Sequence, residues 1–171
     1  MKRKEGVVNK LYRRKRGFSL VEIMIVIVLI GILNAIAIPA LRNTRKQVQA
    51  TRIANDFRQI RDSLEFAISE LGTYPPDRNP GQYPPELVPY LPSEAWNRAI
   101  VGNNVRWDWD NWIGRGGRPF DVGLTLRYRG RGVDTELMTI VDDILDDGDL
   151  STGTFRTETR YGGFVIVFKE R

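Results

Sequence analysis

Residues 18–38 read FSLVEIMIVIVLIGILNAIAI, an apolar run of 21 residues carrying a single charge, Glu22. At about 1.5 Å per residue a helix of this length spans the roughly 30 Å hydrocarbon core of a bilayer. No later stretch resembles it. A secretory signal peptide is the competing reading, but its apolar region is shorter and its small-residue cleavage site lies on the far side. Here a carboxylate stands near the start and the run continues into an amphipathic helix, so a retained anchor helix is expected.

The charge follows the same division. The formal net charge is +5, yet residues 1–17 hold eight Lys/Arg and one Glu, which leaves −2 for residues 18–171. A basic chain ordinarily points to nucleic acid. Here the basic block directly precedes an apolar span and reads as a cytoplasmic topology signal. The chain contains no Cys and no His, which removes disulfides, thiol nucleophiles, imidazole bases and the usual zinc sites. It also lacks a Gly-x-Ser-x-Gly elbow and a phosphate-binding glycine loop with Lys, so a membrane-tethered enzyme has little support.

Beyond the apolar run, Val48, Ile53, Phe57, Ile60, Leu64, Ile68 and Leu71 recur at mostly three- and four-residue spacing, opposite Arg52, Asp56, Arg58, Arg61, Asp62 and Glu65. That is one face of an amphipathic helix. Gly72 is a natural stop, and Pro75-Pro76 forbid continuation. Seven of the nine prolines fall within residues 73–92, a stiffened loop with Tyr74, Tyr83, Leu87, Val88, Tyr90 and Leu91 available to pack. Strands are expected at Val105–Trp109, at 122–128, where Val122, Leu124, Leu126 and Tyr128 alternate with small or polar residues, and at Phe164–Phe168. Asp134 is a candidate N-cap for a helix ending at Leu145. The expected fold class is α+β: a long N-terminal helix, half membrane and half amphipathic, on a small antiparallel sheet.

The segment Arg16-Gly17-Phe18-Ser19-Leu20-Val21-Glu22 joins a basic tail, a glycine, an apolar residue and a carboxylate inside the span. A charge in hydrocarbon costs about 2.5–3.5 kcal/mol on insertion scales, so it ordinarily has a partner. Cleavage after Gly17 would create one, the α-amino group of Phe18, best met between staggered neighbouring chains. Residues 14–41 resemble the type IV pilin family, which includes the pseudopilins of type II secretion. The resemblance implies cleavage by a prepilin peptidase after Gly17, N-methylation of Phe18, and a guiding role for Glu22 in assembly. It places helix-softening residues at Gly31 and Pro39, and a bend or local melting is expected near Ile36–Pro39 on physical grounds. It further implies a cleaved leader (1–17), an anchor helix (18–41) and a periplasmic domain (42–171). The chain would sit in the bacterial inner membrane with its N-terminus cytoplasmic and polymerise with identical or related subunits on an inner-membrane assembly platform. The absence of a cysteine pair and the Gly72-Thr73-Tyr74-Pro75 turn resemble the major secretion pseudopilin. A pilin for adhesion, motility or DNA uptake is the alternative.

Two further clusters stand in the domain. Asp142, Asp143, Asp146, Asp147 and Asp149 form an acidic stretch. Counted from Asp147, oxygen donors fall at positions 1, 3 and 5 (Asp147, Asp149, Ser151), with Glu158 at position 12, much of a twelve-residue calcium loop without its sixth-position glycine. Structural calcium is therefore a candidate ligand, and no cofactor is otherwise required. The bland alternative is a solvated helix end, compensated by Arg127, Arg129 or Arg131. Arg115-Gly116-Gly117-Arg118 and Arg127–Arg131, beside several tryptophans, suit single-stranded nucleic acid, which the negative charge of residues 18–171 disfavours.

Overall fold

The protein is described from a computed structural model covering residues 17–97, 105–128, 134–160 and 162–171. Its elements in order are α1 (Leu20–Leu71), a 3-10 turn (Pro85–Leu87), α2 (Ser93–Asn97), β1 (Val105–Asn111), β2 (Val122–Tyr128), α3 (Thr135–Leu145), β3 (Phe155–Glu158) and β4 (Gly163–Lys169). Compact units divide at Arg42/Asn43, and each is treated by itself. The expected helix-on-sheet, α+β arrangement is present.

In the first unit every described residue is exposed. Its stretch of α1 is long and apolar enough to cross a membrane. The helix continues unbroken through Gly31 and through Pro39, where local melting was expected.

In the second unit α1 buries Ala50, Ile53, Ala54, Phe57, Ile60, Leu64 and Ala67, the expected stripe with alanines filling its narrow positions. Val48 and Leu71, expected in that stripe, are exposed. Gly72 ends the helix at φ +67°, which a side chain would strain. Asp134 caps α3 as expected, accepting from the Glu136 N–H at 3.0 Å. Lys46 on α1 joins Asp134 at 3.1 Å and also Glu136.

The sheet is antiparallel throughout, in the order β1-β2-β4-β3. Its inner face carries Trp107, Trp109, Leu124, Leu126, Phe155, Phe164 and Ile166. The Phe57 ring meets Trp107 edge-on at 4.6 Å and Phe155 at 5.1 Å, tying α1 to both outer strands. The outer face is covered by residues 112–121: Phe120 stacks on Trp112 at 4.8 Å and joins Val165 in a second small cluster. Gly123 makes this possible, since a Cβ there would lie 2.7 Å from the Phe120 ring.

Both sheet edges are occupied. Arg78 and Gly81 donate their N–H groups to the carbonyls of Trp109 and Trp107 on β1, at 3.3 and 2.7 Å. On β3, the Phe155 N–H donates to Asp146 Oδ2 at 3.1 Å and the Thr157 N–H to the Leu150 carbonyl at 2.8 Å.

β3 and α2 are additions to the sequence expectation. Of the loop residues offered for packing, Leu87 and Leu91 are buried whereas Val88 is exposed.

Candidate functional site

Residues 1–16, where a leader is expected, lie outside the described residues; Gly17 is exposed, and a Cβ there would meet nothing within 4 Å. Packing within the subunit therefore does not demand glycine at the junction. Phe18 is also exposed. The next residues form a reciprocal cap: the Ser19 N–H donates to Glu22 Oε2 at 2.8 Å, and the Glu22 N–H donates to Ser19 Oγ at 3.2 Å. This is the Ser-x-x-Glu capping box, which satisfies two of the amides that a helix start leaves free. The pattern is legible in the sequence, yet Glu22 drew attention there only as a membrane charge. In the single chain it has a local partner. Gly31 has equally open surroundings.

The acidic stretch is built differently from the calcium loop drawn from spacing. Asp147 Oδ1 accepts from the Asp149 N–H at 2.9 Å, and Asp149 Oδ1 accepts from the Ser151 N–H and hydroxyl at 3.0 and 2.6 Å, so these three residues lie in one turn. Of the four expected ligands, only Asp147 belongs to the group of converging carboxylates. Glu158 lies on β3, 3% exposed, where it accepts from the Arg160 N–H at 2.8 Å and stands 3.9 Å from Arg127. Its place at the twelfth position reflects spacing alone, because the chain enters a strand instead of completing a loop. The carboxylates that converge are Asp142, Asp146 and Asp147, whose ligand oxygens lie within 4.8 Å of one another.

Asp142, absent from the spacing argument, is the informative member. It sits on the buried side of α3 at 0% exposure. Neither of its oxygens has a hydrogen-bond partner among the described residues. Burial, then the charges of Asp147, Asp146, Asp149 and Asp143, push its carboxyl up to about 6. Asp146, by contrast, is held below the usual carboxylate range by the Phe155 and Thr154 amides. A buried oxygen pair without donors, facing two more carboxylates, fits a hard divalent cation, whose Ca–O distances of about 2.3–2.6 Å allow oxygens that far apart.

Arg127, expected among the groups able to neutralise this helix end, is committed elsewhere. On the outer sheet face it binds Asp108 and reaches Asp110 at 2.8 Å, with Glu158 on its third side. Thr125 donates to Asp110 at 2.5 Å. Burial, then Asp110, pushes the Asp108 carboxyl up to about 7 against the pull of Arg127, and burial raises Asp110 likewise. Arg129 and Arg131 lie outside the described residues.

Comparison with known proteins bears on the N-terminal segment first. Residues 12–38 match the family described as the prokaryotic N-terminal methylation motif. A fimbrial protein of Pseudomonas aeruginosa is 40% identical over 58 residues, 34% of this chain and 38% of that protein. A type IV major fimbrial protein FimA of Dichelobacter nodosus is 43% identical over 54 residues, 32% of this chain and 35% of that one. The type II secretion system core protein G of Dickeya chrysanthemi is 28% identical over 101 residues, 49% of this chain and 65% of that protein. The chain thus spans less than two fifths of these fimbrial relatives and just under two thirds of the secretion protein. No solved structure matches. By motif and by architecture the chain is pilin-like.

Proposed function

We propose that this chain is a structural subunit of a pilus-like fibre, most specifically of the type II secretion pseudopilus. The observation that carries the reading is the Gly17–Glu22 segment, a methylation motif opening a helix long enough to cross a membrane. In this reading a prepilin peptidase cuts between Gly17 and Phe18. Residues 18–41 hold the subunit in inner-membrane lipid until an assembly platform extracts it, and residues 42–171 lie in the periplasm. The secretion branch is favoured because the likeness to core protein G extends over 101 residues, well past the 58 and 54 of the fimbrial matches. An adhesive, motility or DNA-uptake pilin is the second reading, supported by the higher identity of those shorter matches.

The α3–β3 turn takes calcium in this reading. Asp142, Asp146 and Asp147 would hold it, with Asp149 and Ser151 shaping the adjoining turn. The ion would supply positive charge at a helix C-terminus where carboxylates oppose the dipole.

Coexpression with a prepilin peptidase tests the central claim. The chain should shorten by the 17 residues of the leader, and Gly17→Trp should block this. An unchanged mass in peptidase-containing membranes would sink the reading. Deleting the chain in its host should then abolish export of secreted enzymes and spare surface pili; the reverse pattern selects the second reading.

A further inference from the structure

Two surfaces of the 43–171 unit carry opposite charge. The first gathers on the turn between β1 and β2. Arg115 and Arg118 belong to that turn; Arg160 donates to the Gly117 carbonyl, and Arg171 donates to the Arg118 carbonyl at 3.5 Å. Lys169 stands 3.8 Å from Asp121 at its base, and Arg115 pairs with Asp77 at 2.8 Å. These five cations face two carboxylates, Asp77 and Asp121, a local side-chain charge of +3. Ile113, on the same turn, is 45% exposed. The second surface is the α3–β3 turn, where Asp143, Asp146, Asp147 and Asp149 are exposed. Among the described residues no ion pair joins any of these four to a cation.

We infer that the Arg115–Arg118 turn docks the acidic α3–β3 turn of a second copy of this chain. The inference rests on the fibre reading and supplies it with a contact between neighbouring subunits. The two patches differ, so the contact is heterologous, joining one face of a subunit to another face of the next. Repeated without closing into a ring, such a contact generates an open helical filament. Exposed pairs are individually weak and are screened within about 8 Å at physiological salt. The patch therefore selects orientation and register more than it adds affinity. Calcium at Asp142, Asp146 and Asp147 leaves Asp143 and Asp149 to present negative charge. Nucleic acid suits the basic turn less well. Bases need an open aromatic face, but Trp112 is 3% exposed, with the Arg118 guanidinium 4.6 Å from its ring centroid and Phe120 stacked against it.

The test uses the full chain with its processing and assembly partners. Arg118→Glu with Arg160→Glu, or Asp143→Lys, should each lower fibre yield by about tenfold, the scale set by like charges brought together. Processed protein in the membrane should stay at the parental level. Combining these changes should restore the yield. Single-surface reversals at the parental yield, or a combined chain no better than either, would overturn the contact while leaving the fibre intact. The chain has no native Cys, so a second measurement is clean: Gly116→Cys in one tagged copy and Ser151→Cys in another should form a mixed disulfide in membranes. That cross-link without any fibre from the parental chain would keep the contact and remove the fibre reading; absence of the cross-link removes the contact. Retention of a single-stranded oligonucleotide, abolished by Arg118→Glu with Arg160→Glu at unchanged fibre yield, would reassign the patch to nucleic acid.

Discussion

At Glu22 one substitution can separate the capping bond from the charge. Its carboxylate caps the first turn through the Ser19 N–H at 2.8 Å, and its charge is what the fibre reading uses to place an incoming subunit. Glutamine keeps an acceptor for the capping bond and discards the charge; alanine discards both. Glu22→Gln should leave cleavage after Gly17 intact and reduce fibre yield about tenfold or more, and Glu22→Ala should do the same, because a directed charge in low dielectric is lost. The measurement is sheared fibre relative to processed protein in the membrane. Parental yield from the glutamine chain alongside failure of the alanine chain would leave Glu22 as a cap only. On the outer sheet face, Asp108 provides a second residue-scale expectation. Burial pushes its carboxyl up to about 7, and Asp110 is raised the same way. The folded state therefore binds protons more tightly than the unfolded chain, whose Asp titrates near 3.9. Stability conferred this way is full below the unfolded value and is lost as pH rises through the folded one. Without divalent cations, the melting temperature should fall between pH 5 and pH 8, by about 2–4 °C per kcal/mol lost, and Asp108→Asn should flatten the upper part of that slope. A rising or flat parental profile would contradict the buried-charge account.

At the scale of elements, the turn between α3 and β3 is where spacing and structure part. Sequence set Asp147, Asp149 and Ser151 at positions 1, 3 and 5 of a calcium loop; in the structure the two Asp side chains bond backbone amides two residues on, as Asp does in turns. Glu158 was misplaced because Phe155–Glu158 is only four residues long and its partner, Arg127, belongs to another strand. Asp142 was passed over because in sequence it is one acid among five; only the burial of that side of α3 separates it from Asp143. Calcium at 100 times its dissociation constant should stabilise the processed chain in detergent by about 2.7 kcal/mol, roughly 5–10 °C in melting temperature. Asp142→Asn should remove that increment and raise the calcium-free melting temperature at pH 7.5, because it removes an unpartnered buried charge. An intact calcium response in Asp142→Asn would place the ion elsewhere. Among the other elements, Gly72, the Asp134 cap and the strands around Trp107, Leu124 and Ile166 lie where sequence placed them, and so does the α1 stripe apart from the exposed Val48 and Leu71; α2 had no periodic signal. The alternation in Trp107-Asp108-Trp109-Asp110 predicts two faces, but not that residues 112–121 fold over the acidic one, since that cover depends on Gly123 and on Phe120 stacking with Trp112.

At the scale of the whole molecule, what the chain withholds is as consequential as what it presents. Among the described residues, the 78–81 segment takes up the Trp107 and Trp109 carbonyls on β1, and Asp146 and Leu150 take up the Phe155 and Thr157 amides on β3, so both margins of the sheet are partly occupied. Chains crowded at high local concentration in a membrane are under constant pressure to pair strand with strand, and unclaimed amides are the template for doing so. This domain is blunted against it. In the fibre reading, neighbours would meet through side chains and helices, and the sheet would stay private to its own chain. A polymer assembled on such terms can be taken down and rebuilt without any subunit unfolding, a freedom that a strand-swapped or amyloid-like fibre does not have.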